Sequence, residues 1–76
     1  MNLAASIAES RFERLRAQDC GVIAAGASAS RGIEERWTVA RTAQAVHVSD
    51  TVVFSLRRGR QVHVFETVWP CHGSAP

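Results

Sequence analysis

The chain has 76 residues and a formal charge of +2, carried by arginines alone because the sequence contains no lysine. A chain of this length forms one domain and buries roughly 60–65% of its unfolded surface, so its core leaves little surplus stability. The apolar content excludes a disordered polymer, and the modest charge excludes a polybasic tail. Two cysteines are too few for a dense disulfide framework. A homodimer, or an obligate partner, is the expected way to complete so small a core.

No stretch has the length or composition of a membrane span or an export signal, since Glu9, Arg11, Glu13 and Arg14 interrupt the first apolar run. The expectation is a cytoplasmic protein with Cys20 and Cys71 reduced. The two would pair if the protein were exported.

Residues 3–18 read as a helix rich in good formers, with Asn2 as N-cap and Cys20-Gly21 as a stop. Leu3, Ala4, Ile7, Ala8, Phe12 and Leu15 share one face, and Arg11 falls in the middle of it. That arginine either snorkels past a small core or meets a partner. Val22–Ala25 reads as a short strand and Gly26–Gly32 as a loop of small residues. The spacing of Gly21 and Gly26 superficially matches a phosphate loop but lacks its lysine and a preceding strand. Trp37, Val39, Val46 and Val48 suggest a strand over 36–48, continuous or broken, and Ser49-Asp50 a turn.

Two further strand-like runs, Val52–Leu56 and Gln61–Trp69, flank Arg57-Arg58-Gly59-Arg60. A three-residue loop with Gly59 left-handed would pair Leu56 with Arg60 and Phe54 with Val62. It would gather Val52, Phe54, Leu56, Val62 and Val64 on one face. Arg57 would then share the opposite face with His63 and Phe65. Pro70 would end the last strand and leave 70–76 as a flexible tail. The expected architecture is α+β: one N-terminal helix packed on a small antiparallel sheet of three to four strands, in a single domain over 1–69.

No catalytic chemistry, cofactor or metal is expected. The possible metal ligands Cys20, His47, His63, Cys71 and His72 lack any chelating spacing. Glu34-Glu35 suits a solvated junction better than a general acid and base. The informative group is the arginine tip, whose planar forks match phosphate oxygens or carboxylates. Arg57, Arg58 and Arg60 are the first candidate partner-binding residues, followed by Arg11, His63 and Phe65. A small nucleic-acid-binding accessory or transcriptional regulator using the basic tip is the alternative to a protein-binding role.

In size, all-arginine composition and one-helix-plus-sheet pattern, the chain resembles the small phage-encoded anti-CRISPR proteins, those directed at type I complexes and subtype I-C first. That resemblance implies a non-catalytic inhibitor acting in the host cytoplasm. It would bind a subunit of a CRISPR-Cas surveillance complex and block entry of target DNA or recruitment of the nuclease.

Overall fold

A computed structural model describes residues 2–71. Helix α1 (Leu3–Arg16) is followed by a single 3-10 turn (Cys20–Val22). Four strands then run in sequence, β1 (Gly26–Ser30), β2 (Ile33–Arg41), β3 (Ala45–Leu56) and β4 (Gly59–Pro70). They form one antiparallel sheet in the order β1-β2-β3-β4. The fold is a small α+β arrangement of one helix against one sheet.

The helix begins where the sequence places it. The Asn2 side-chain oxygen accepts hydrogen bonds from the amides of Ala4 and Ala5, satisfying donors that have no partner inside the helix. Ala4, Ala8, Phe12 and Leu15 are buried, while Leu3 stays mostly exposed. Ala8, Phe12 and Leu15 pack on Ile23, Val46, Val48 and Trp69, and this cluster is the core. Each large aliphatic or aromatic side chain buried here contributes about 1.5–3 kcal/mol.

The strands differ from expectation in three places. Gly26–Ser30 is the edge strand β1, and Ile23 and Ala24 lead into it. It turns into β2 through Arg31 and Gly32, both with positive φ (52° and 79°), which is what a two-residue hairpin turn of this hand requires. The strand expected over 36–48 is divided between β2 and β3. Thr42 breaks it by accepting through its hydroxyl from the amides of Gln44 and Ala45. Ser49-Asp50 is no turn and lies inside β3.

The third difference is the register of the long hairpin. Leu56 pairs with Gly59, Val53 with Val62 and Val52 with His63, so the loop is Arg57-Arg58 alone and the bulged three-residue loop does not form. Gly59 does adopt a positive φ, 132°, but as the first residue of β4. The bulged loop would collect the valines on one face. In this sheet both faces carry valines, so that criterion does not select the register.

One face of the sheet meets the helix and holds Glu35, Trp37, Val46, Val48, Asp50, Val52, His63, Phe65 and Trp69. The other is the outer face, with Val53, Arg60, Val62, Val64, Glu66 and Val68. A 14-residue helix is about 21 Å long, whereas each 12-residue strand of the hairpin spans about 40 Å. The hairpin therefore outruns its helix, in a body of 53 × 21 × 17 Å.

Cys20 and Cys71 are joined as a disulfide with Cα atoms 5.9 Å apart, which corrects the expectation of free thiols. It ties the 3-10 turn to the end of β4, and the Cys71 amide donates to the Gln44 carbonyl at 2.8 Å. Pro70 and Cys71 thus belong to the folded body rather than to a tail. The rest of the expected tail, residues 72–76, lies outside the described residues.

Candidate functional site

The arginine tip is built by the two-residue turn. Arg57 and Arg58 occupy the turn itself, and Arg60 follows on the outer face opposite Ser55. All three are exposed, and none makes a side-chain hydrogen bond or ion pair among the described residues. The tip does not share a face with His63 and Phe65, as the bulged loop would have required. Those two point to the helix side, where His63 stands edge-on to Phe54 (5.7 Å between ring centroids) and stacked with Phe65 (6.5 Å). Phe54, His63 and Phe65 are half-buried, and Leu56 is 52% exposed, because the helix stops short of this part of the hairpin.

Arg11 has a different occupation. Its Nε and Nη2 donate to the two carboxylate oxygens of Glu35 at 3.1 and 3.0 Å, a bidentate pair across helix and sheet. The guanidinium also lies 3.8 Å over the Trp37 ring. Trp37 is pinned in turn by an indole hydrogen bond to the Ala24 carbonyl. Gly26 sits so close beneath that ring that a Cβ there would come within 2.5 Å of it. Arg11 neither snorkels to water nor waits for a partner, but anchors the helix to β2.

Beside this pair lies a group that reading the sequence missed. Asp50 is fully buried on the helix side of β3, opposite Trp37 and diagonal to Glu35. Neither of its carboxyl oxygens receives a hydrogen bond from a protein donor. Burial, then the hydrogen bond shared with Glu35 and that residue's negative charge, push Asp50 up to about 7, against the opposing charge of Arg11. Burial also works against ionised Glu35. The Arg11 hydrogen bonds, the one shared with Asp50, and the charges of Arg11 and Arg14 outweigh it and hold Glu35 below the usual carboxylate range. The chemistry is one proton shared by two acids: Asp50 keeps it and donates toward ionised Glu35, which satisfies an otherwise orphaned group. The signal was present in the alternation of Val46, Val48, Asp50 and Val52, which puts all four side chains on one face.

The outer face has no covering element among the described residues. Val62, Val64 and Val68 are 58%, 56% and 62% exposed. Toward β1 the face dips into a shallow concavity lined by Ala29, Glu34, Arg36, Thr51, Val53 and Arg60. Its mixed charge suits a peptide surface better than a run of phosphates. The disulfide removes Cys20 and Cys71 as metal ligands. His47 instead approaches the Glu66 carboxylate at 3.2 Å on the outer face. Among the described residues, no helix is long and apolar enough to cross a membrane. Compared with known protein families, curated proteins and solved structures, the chain matches none.

Proposed function

We propose that the chain is a non-catalytic protein-binding module whose contact surface is the overhanging end of the β3–β4 hairpin. The observation that carries this is the mismatch in length between helix and hairpin. It leaves Phe54, Leu56 and His63 partly bare at the same end of the hairpin as the unpaired Arg57 and Arg58. Aromatic and aliphatic side chains next to unpaired arginines are the composition of interface anchors.

The partner class follows the resemblance to small phage-encoded inhibitors. The proposed target is a subunit of a type I CRISPR-Cas surveillance complex, bound so that DNA entry or nuclease recruitment is blocked. Such a protein acts in the host cytoplasm, where thiols are held reduced. Binding is therefore assayed with the disulfide both intact and opened. The test is co-elution with purified type I complexes, with Arg57, Arg58 and Arg60 replaced together by alanine as the comparison. The exposed substitutions should change stability by no more than about 0.5 kcal/mol. Loss of co-elution in the triple variant supports the tip as anchor. No co-elution of the unaltered chain at micromolar concentration removes this partner. A salt-sensitive shift of DNA or RNA in its place would transfer the tip to phosphate binding.

A further inference from the structure

β4 is an unusual strand to leave at an edge. It is 12 residues long, and nothing pairs with its outer side among the described residues. The opposite edge, β1, has only five residues of glycine, alanine and serine. Long uncovered edges are normally blunted by lysine, proline or a bulge, because their free amides and carbonyls template pairing with another chain. β4 has no lysine, proline or bulge before Pro70, and its two charged residues, Arg60 and Glu66, are of opposite sign.

The pattern of bonding identifies the free groups. The Cys71 amide donates to the Gln44 carbonyl, so this position is bonded to the neighbouring strand. In an antiparallel ladder such positions recur at every second residue. The backbone groups of Gln61, His63, Phe65, Thr67 and Trp69 accordingly turn toward β3. Those of Arg60, Val62, Val64, Glu66 and Val68 turn away from it. The side chains of these same five residues stand on the outer face, so edge and face present one continuous surface.

We infer that this surface is a homodimer interface, in which β4 pairs antiparallel with β4 of a second copy about a two-fold axis at His63. In that register Arg60 lies opposite Glu66 of the partner subunit, and Val62 opposite the partner's Val64. Each contact occurs twice by symmetry. The charges and the valines both find complements, and about eight backbone hydrogen bonds form, two for each directly bonded pair. An axis at Val64 would set Arg60 against the partner's Val68 and Glu66 against the partner's Val62. An axis at Phe65 would set Val64 against the partner's Glu66. Both mismatch charge with apolar groups, so charge complementarity selects His63. The result is an eight-stranded sheet in which both hairpin tips stay free.

Reciprocal charge exchange tests the register with little disturbance of the fold, since both side chains are exposed and the one contact given up within the chain is the exposed His47–Glu66 pair. Arg60→Glu places two glutamates opposite each other at both symmetric contacts, and Glu66→Arg places two arginines. Like charges directly opposite across strands are destabilising. Sedimentation equilibrium over a concentration series should show the unaltered chain as a dimer and each variant about tenfold weaker in self-association. A mixture of the two variants has complementary pairs at both contacts and should recover the original dissociation constant within about threefold. Circular dichroism confirms that each variant is folded. A monomer at every concentration overturns the proposal. So does a dimer indifferent to both substitutions, or one that the mixture fails to restore. The outcome is independent of any co-elution with a CRISPR-Cas complex.

Discussion

Replacing Asp50 by asparagine isolates the buried acid pair. In the folded protein Asp50 holds its proton up to about pH 7, whereas its ordinary value is 3.8. Folding therefore takes up a proton at pH values between the two. Stability from this group is fully present below pH 3.8, falls as pH rises, and is lost once pH passes about 7. At about 1.4 kcal/mol per pH unit for one proton, the whole shift corresponds to about 4 kcal/mol. About 2 kcal/mol of that disappears between pH 5 and pH 7. Glu35 has the opposite sign, because its pKa is lowered from 4.5. Its contribution is present above 4.5 and fades only as pH falls below that, so the window from 5 to 7 belongs to Asp50.

Urea unfolding at pH 5, 6, 7 and 8, followed by tryptophan fluorescence, reads this directly. The unaltered protein should lose about 2 kcal/mol across the first two units. Asp50→Asn keeps the shape of the protonated acid, and its amide can donate to Glu35 at every pH. We expect that variant to have a nearly flat profile, to match the parent within about 1 kcal/mol at pH 5, and to exceed it by about 3 kcal/mol at pH 8. All three histidines are common to both proteins and cancel in the comparison. A flat parent profile from pH 5 to 7, or the same slope in both proteins, would refute the shared proton.

Other substitutions test neighbouring parts of the structure. Arg11→Ala strips the counter-charge from buried Glu35 and should cost about 3–5 kcal/mol in urea unfolding, with Glu35→Gln recovering part of it in the double variant. Opening the disulfide, by reductant or by Cys20→Ser with Cys71→Ser, releases a constraint across 51 residues. The chain-entropy estimate for such a loop is about 4 kcal/mol, to be read as a lowered midpoint in calorimetry. Gly26→Ala drives a methyl group into a Trp37 ring that is held by Ala24 and Arg11. It should cost about 1–3 kcal/mol and shift the tryptophan emission.

Helix α1 was legible because its signals are local: a 3.6-residue apolar period, good helix formers and an asparagine cap next to the first turn. The composition of the hairpin was legible too, but not its register. Segregation selects a register only where one face is apolar, and here the valines of β4 stand on the outward face while those at 46, 48 and 52 of β3 face the helix. The buried acids were hidden for a related reason. Ser49-Asp50 has the local character of a turn, and only the alternation of the whole run from Val46 to Val52 places Asp50 in the core. Whether Arg11 served core or partner depended on a carboxylate 24 positions away, Glu35. Nothing in the helix itself reports that contact.

Six of the nine arginines therefore divide by what lies near them, not by their position in a charge run. Arg11 is neutralised by Glu35, and Arg41 donates to the carbonyls of Cys20 and Ile23, holding the 3-10 turn against β2. Arg16 lies 5.0 Å over the Trp69 ring. All three secure a core too small to hold its edges by apolar contact alone. Arg57 and Arg58 have no such partner among the described residues, and Arg60 finds its proposed one only across a two-fold axis. If that axis exists, Arg60 leaves the set available to a foreign protein, and the binding surface contracts to Arg57, Arg58 and the bared Phe54, Leu56 and His63. Dimerisation would then present two copies of that surface on one rigid sheet. A target with two matching sites would be held far more tightly than either contact alone permits, through effective concentration rather than through new contacts.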